Sequence, residues 1–224
     1  WWPTPEPPHR INQIYLEPIL LRHAAGLPGV TLHNRTQVVD FTQDADGVTV
    51  ELLELDSGAT RRVRARFLVG CDGGGSTVRK RMGSQLEGTA VIQRVQSTFI
   101  RAPGLAALIG HRPAWGHYSI NPRRCGTVFA IDGRETWLVH NHLNPSEPEF
   151  DSVDRDWALR QILGVDERFE IEIISKEDWI GRRLVATRFR NGRVFIAGDA
   201  AHLWVPYAGY GMNAGIADAM NLSW

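Results

Sequence analysis

The sequence predicts a mixed α/β protein. A ligand-binding α/β domain carries an antiparallel meander, and a mostly antiparallel β-sheet domain is inserted into it. Three observations predict this. Val194-Phe195-Ile196-Ala197 is a short apolar run closed by Gly198, the mark of a strand buried on both faces. Asp44-Ala45-Asp46-Gly47 and Asp56-Ser57-Gly58 are hairpin turn chemistry between strand-like stretches. From 84 to about 180, short segments rich in Val, Ile, Phe, Trp and Thr are broken by Pro, Gly and Asn.

Taken in order, the chain opens with a proline-rich connector, WWPTPEPPHR. Ile14, Leu16, Ile19 and Leu20 then follow helical spacing between about Asn12 and Ala25. Pro18 suggests that the regular helix starts near it, because proline is best tolerated in a first turn. Gly26-Leu27-Pro28-Gly29 ends it. Strands over Val30–Phe41, Gly47–Leu55 and Arg61–Gly70 form the meander, the alternation Val48, Val50, Leu52 marking one wetter face. A short helix over Thr77–Met82 follows, with Ser76 as its N-cap.

Within 84–180 the predicted strands are Val91–Ile100, Trp115–Ile120, Thr127–Ile131, Thr136–His142 and Phe169–Ile174, with one helix over Asp154–Leu163. The domains are therefore 1–83 with 181–224, and 84–180. A last helix runs from about Met212.

Two turns carry the chemistry. After Val69 comes Gly70-Cys71-Asp72-Gly73-Gly74-Gly75-Ser76, and after Ala197 come Gly198 and Asp199. Each sets an acid and glycines beside the end of a buried strand, where α/β sheets hold ligands. The second turn continues through Ala208-Gly209-Tyr210-Gly211 into the last helix, offering one carboxylate and a row of backbone amides to a polar ligand. Either acid alone is ordinary turn or cap chemistry. Two such turns in one chain point to one extended ligand touched twice.

Composition excludes several classes. Lys+Arg and Asp+Glu number 25 each among 224 residues, so no global field argues for nucleic acid or a membrane surface. Arg61-Arg62 and Arg182-Arg183 read as solvated strand ends. No apolar run approaches the roughly 18 residues of a membrane span. Cys71 and Cys125 stand far apart and in no metal spacing, which makes a reducing cytoplasm the default compartment. His202 follows Asp199 by three with no acidic partner at ligand spacing, so no metal is expected.

At the two turns the sequence resembles the flavin-dependent aromatic hydroxylases of the para-hydroxybenzoate hydroxylase type, the group A flavoprotein monooxygenases. The likeness is to the branch acting on phenols and polyketide aromatics. Cys71-Asp72-Gly73-Gly74-Gly75-Ser76-Thr77-Val78-Arg79 matches that family's DGxxSxxR motif. Gly198-Asp199-Ala200-Ala201-His202, Pro206, Gly209, Gly211-Met212-Asn213, Gly215, Asp218-Ala219 and Asn221-Leu222 match its GD motif and following helix. Gln13-Ile14-Tyr15-Leu16-Glu17 resembles its QxxLE helix.

The resemblance implies an FAD/NAD(P)-binding-type domain and an enzyme that uses FAD, NAD(P)H and O2 to hydroxylate a small aromatic substrate. It implies cofactor-binding roles for Gln13, Asp72, Arg79, Gly198, Asp199, Pro206, Gly209, Gly211, Met212 and Asn213. Asp199 would accept ribityl hydroxyls, and Pro206 would lie against the isoalloxazine. The amides of Met212 and Asn213 would face the pyrimidine edge, where a helix N-terminus stabilises the anionic reduced flavin. The inserted sheet would supply the substrate wall from among Trp115, His117, Tyr118, Trp137, His140, His142 and Trp179, with no base assigned.

The sequence departs from the pattern at Val205, Ala208 and Tyr210, where the family often has Pro, Gly and Gln. The family's first strand, GxGxxG turn and ribose-binding acid would precede Trp1, and helix residues continue to Trp224. The chain therefore reads as an internal piece of a longer protein, expected to be inactive by itself. The alternatives are an incomplete, non-catalytic flavoprotein fragment, or a flavin halogenase; for the latter Trp137-Leu138-Val139-His140 does not match WxWxIP.

Overall fold

The computed structural model describes residues 5–7, 9–110 and 114–224. Part of the predicted proline-rich connector, residues 1–4 and 8, lies outside them.

Helix α1 spans Gln13–Ala25, and Pro18 sits inside it rather than at its start. None of its residues is buried, so the carbonyl that proline leaves unpaired can meet water. Strands β1 (Thr36–Gln43), β2 (Val48–Glu54) and β3 (Thr60–Ala65) form the antiparallel meander. Arg61, the second residue of β3, is half-buried and paired with Glu54 at 3.2 Å.

The stretch predicted as one strand over Arg61–Gly70 is two. After Ala65 the chain leaves the meander, and β4 (Leu68–Gly70) pairs parallel with β11 (Val194–Ile196), which also pairs with β10 (Arg190–Asn191). Helix α2 (Thr77–Arg81) follows, capped by Ser76, whose Oγ accepts from Arg79 N–H at 2.9 Å. Val48, Val50, Val78, Met82, Val194 and Ile196 form one core between meander, α2 and β11. A β-carbon at Gly70 would stand 2.6 Å from Val78 Cβ, so α2 lies directly on β4.

The inserted region builds most of a six-stranded antiparallel sheet in the order β12-β9-β5-β8-β7-β6, with β9 running past residue 180 and the edge strand β12 coming from beyond it. Its strands are β5 (Leu86–Arg101), β6 (Gly116–Ser119), β7 (Gly126–Ala130), β8 (Thr136–His142), β9 (Glu172–Ala186) and β12 (His202–Leu203). Strand β9 is much longer than the predicted Phe169–Ile174. Pairing with β5 carries it through the polar run Ser175–Asp178, and Arg182-Arg183 fall inside it rather than at an end. Short α3 (Leu105–Ile109) and α4 (Arg155–Leu163) follow β5 and β8. Asp154 caps α4, accepting from Trp157 N–H at 2.7 Å. Leu159 and Ile162 of α4 pack with Ile100, Val128, Trp137 and Val139 in a second core.

The last helix, α5, spans Tyr210–Ser223 after a 3-10 turn over Tyr207–Gly209. No helix among the described residues is long and apolar enough to cross a membrane.

Candidate functional site

Strands β4 and β11 run parallel, so their carboxyl ends open side by side. Ala197 N–H donates to Gly70 O at 3.0 Å and extends the pairing to the point where both turns begin. Asp72 then folds back over α2. Its carboxylate accepts from Ser76 Oγ at 2.5 Å, Thr77 N–H at 2.7 Å and Val78 N–H at 3.1 Å. Partial burial alone would raise the Asp72 pKa, but the Ser76 hydroxyl and these amides outweigh it and hold the group below its ordinary value. The Asp72 side chain is therefore engaged in capping, and the glycines beside it form the open part of the turn.

Arg79 lies inside the protein, 5% exposed. Its guanidinium donates to Ala200 O at 3.1 Å and to Gly74 O at 2.9 Å, one carbonyl from each turn. Arg79 thus fixes the two turns against each other.

At the second turn Gly198 takes φ +60, a left-handed conformation that suits glycine. It lies under α5, its Cα 3.7 Å from a β-carbon built at Gly215. Asp199 is exposed, with no hydrogen bond or ion pair among the described residues. Pro206 O accepts from Gly209 N–H at 3.1 Å, which closes the turn leading into α5. Gly209, at φ +71, is the N-cap, and no side chain caps the helix or places an acid in its first turn. The first-turn amides, including those of Gly211 and Met212, therefore lack intrahelical partners. Asn213 turns its side-chain amide back to Gly209 O at 3.2 Å. Gln13 donates its side-chain amide to Glu17 at 2.5 Å on exposed α1.

Sequence reasoning missed one partner. Asp218 of α5 meets His202 Nε2 at 2.7 Å and accepts from Gly198 N–H at 2.7 Å. This is the acid that His202 lacked at ligand spacing, and α5 supplies it from a distance no local pattern encodes. Burial raises the nearby Cys71 thiol, with the Asp72 and Asp218 charges adding to the effect.

The structure sorts the aromatic candidates by face. Trp137 and Val139 point into the core under α4, and the His117 ring lies 6.3 Å from that of Trp137. Alternation puts His140 and His142 on the opposite face. There the His140 ring meets Trp179 at 5.7 Å and Phe129 at 5.5 Å, while Trp115 meets Phe129 at 4.7 Å. Tyr118 is 76% exposed on outer β6. Burial lowers the His140 pKa to about 4, with His142 adding to the effect. Gly181 follows Trp179 by two on the same face, and Val205 Cγ1 would stand 3.0 Å from a β-carbon there. The Val205–Pro206 segment thus lies against the face bearing His140 and Trp179. An open cavity of about 1180 Å³ lies elsewhere, along α4 near Arg123, Trp157 and Arg168, and none of the two turns' residues lines it.

Residues 3–224 match the model of a family described as FAD binding domain. A putative polyketide hydroxylase from Streptomyces halstedii is 37% identical over 217 residues, 95% of this chain and 39% of that protein. The 2,4-dichlorophenol 6-monooxygenase of Cupriavidus pinatubonensis is 32% identical, over 96% of this chain and 37% of its own. Among solved structures, a ternary complex of aklavinone-11 hydroxylase with FAD and aklavinone superposes with a TM-score of 0.84 at 30% identity, covering 96% of this chain and 41% of that one. The chain thus spans about two fifths of the length of these relatives. With the motif turns, their geometry and the family match in agreement, the chain belongs to the FAD-binding domain family of the FAD-dependent aromatic hydroxylases.

Proposed function

We propose that the whole protein is an FAD-dependent monooxygenase that hydroxylates a phenolic or polyketide aromatic with NAD(P)H and O2. The observation that carries this reading is the pair of turns joined through Arg79, with the free Asp199 carboxylate and the uncapped start of α5 on one side of the joint. The residues fit the cofactor. Asp199 has acceptor capacity to spare for hydroxyl groups. Gly73 and Gly75 have no atom within 4 Å of a would-be β-carbon, which leaves room for a ligand to approach the backbone.

Bound FAD supplies the electron transfer from NAD(P)H and the activation of O2 that no side chain can supply. The chain's own residues bind, orient and exclude water. Asp199 holds the polar chain of the cofactor, and the amides of Gly211, Met212 and Asn213 set positive charge at the start of α5. Pro206 lines the loop between α5 and the sheet. Asp72 and Arg79 act on the cofactor through the turns they shape, and Gln13 is a contact from α1.

Residues 84–180 act as the substrate domain and 1–83 with 181–224 as the cofactor domain. His140, His142 and Trp179 face the Val205–Pro206 segment and form the wall on which an aromatic ring rests. His140, held neutral at pH 7, can accept a hydrogen bond from a phenolic hydroxyl. The protein acts in the cytoplasm.

The test is NAD(P)H oxidation by the full-length protein reconstituted with FAD, with and without a panel of phenols and polyketide aromatics. The reading expects faster oxidation with one class of aromatic and a product carrying one more oxygen. Oxidation indifferent to every aromatic, or failure to retain FAD, would overturn it.

A further inference from the structure

Asp218 stands where three parts of the protein meet. It projects from the middle of α5, and its Oδ2 accepts two hydrogen bonds at 2.7 Å, from Gly198 N–H and from His202 Nε2. A carboxylate has no hydrogen to give, so His202 must carry its proton on Nε2. Gly198 opens the turn that presents Asp199. His202 belongs to β12, which pairs with β9 through His202↔Val185 and Leu203↔Leu184 at the edge of the six-stranded sheet. One oxygen atom therefore ties the cofactor turn, the substrate sheet and the helix whose N-terminus faces the cofactor.

The surroundings make this a fixed joint. The His202 side chain is only 13% exposed and its ring rests 5.5 Å from that of Trp204. Ala201, between the two donors, donates to Gly198 O at 2.8 Å, and its own carbonyl accepts from Ala186 N–H at 2.8 Å. Gly198 and Gly215 approach without side chains between them, so the helix and the turn are in backbone contact beside the carboxylate. No other side chain among the described residues bonds to both the turn and β12.

We propose that Asp218 is a positioning residue for the flavin: with His202 it clamps the Asp199 turn and the edge of the substrate sheet to α5, and so sets how tightly FAD is held and how its ring sits against the sheet. The proposal rests on the flavin reading of this site. It gives His202 a role as a hydrogen-bond donor to the clamp. Without the clamp, Asp199 and the α5 amides would still be present but no longer held in one geometry, and a ligand that needs both at once would lose affinity.

The experiment uses the full-length protein and the variants Asp218→Ala, Asp218→Asn, His202→Gln and, as a remote control, Asp166→Asn. Two readouts separate the clamp from the cofactor. Hydrogen exchange of the apo-protein reports the peptide containing Gly198; fluorescence titration with FAD, and the visible spectrum and midpoint potential of the bound flavin, report the consequence. Asp218→Ala is expected to speed exchange at the Gly198 turn and raise the Kd for FAD about tenfold or more, the equivalent of one charge-assisted hydrogen bond. The flavin bands and potential should shift with it.

Asp218→Asn and His202→Gln, which each keep a hydrogen-bonding group in place, should recover part of the affinity; if Asp218→Ala does not fold, these two carry the test. Asp166→Asn should leave both readouts unchanged. Unaltered exchange in the Asp218 variants, or faster exchange with unchanged FAD affinity and spectrum, would overturn the proposal. Failure of the unmodified protein to bind FAD would instead remove the flavin reading on which the proposal rests, and overturn it with that reading, even if the exchange arm still showed a joint between helix and turn.

Discussion

The guanidinium of Arg79 reaches from α2 to the carbonyl of Ala200 at 3.1 Å, so a residue of the first motif is bonded to the backbone of the second. Arg79 has no ion-pair partner among the described residues, and both bonds described above go to carbonyls. Arg79→Ala leaves two acceptors without their donor and is expected to destabilise the full-length protein by about 2–4 kcal/mol in urea unfolding. Arg79→Lys should restore only part of this, because an ammonium lacks the planar fork that spans both carbonyls. FAD affinity should fall in both variants.

Gly198 and Gly215 face each other but should respond differently to alanine. Gly198 has φ +60, where a β-carbon is strained, so Gly198→Ala is expected to cost about 1–2 kcal/mol and weaken FAD binding. At Gly215 the nearest atom to a new β-carbon is 3.7 Å away, ordinary contact distance. Gly215→Ala should be neutral or stabilising by up to about 1 kcal/mol, since alanine favours the helix. Thermal melts of the two variants side by side check the contrast.

Asp199 gives the complementary case. It is exposed and bonded to nothing among the described residues, so Asp199→Ala should change stability by no more than about 0.5 kcal/mol. The same change should weaken FAD binding, read by titration of the apo-protein. A variant that melted normally and bound FAD normally would remove Asp199 from the site.

His140 makes stability depend on pH. Its folded pKa lies at about 4 against an ordinary 6.5, because burial disfavours the imidazolium. The unfolded chain therefore binds the proton more readily. The stabilising contribution is full above about pH 6.5 and is lost as pH falls toward about 4. The expected loss over that window is at most about 3 kcal/mol. Urea unfolding at a series of pH values should show the slope, and His140→Phe should flatten it.

Much of this was legible along the chain. Strand β8 falls on the predicted Thr136–His142, Ser76 is the cap that its side chain suggested, and α4 lies within the predicted Asp154–Leu163. What escaped depended on partners distant in sequence. Arg61–Gly70 read as one strand because no Gly, Pro or Asn interrupts it before Gly70, while the break is imposed by β11, which draws Leu68–Gly70 into a parallel pair. The polar run Ser175–Asp178 hid the middle of β9, whose strand geometry comes from β5. At the candidate site, the glycines and Asp199 stand out by local pattern. The capping role of Asp72, the buried reach of Arg79 and the Asp218–His202 bond did not, because each is decided by what the fold brings near.

The long pairing of β5 with β9 has a consequence for how the protein comes into being. In the sheet β5 lies between β8 and β9, both of which follow it in the chain, and Leu86 finds its partner only at Ala186. During synthesis the β8 edge of β5 can pair once His142 has emerged, but the β9 edge stays open until Ala186 follows, and closing so large a loop costs entropy before any contact repays it. The β1–β3 meander, built from neighbours, can form at once. The turn bearing Asp199 lies beyond β9, so it can dock against the sheet only after β9 has been made, and a ribosome pause or a chaperone acting before Ala186 emerges would delay it.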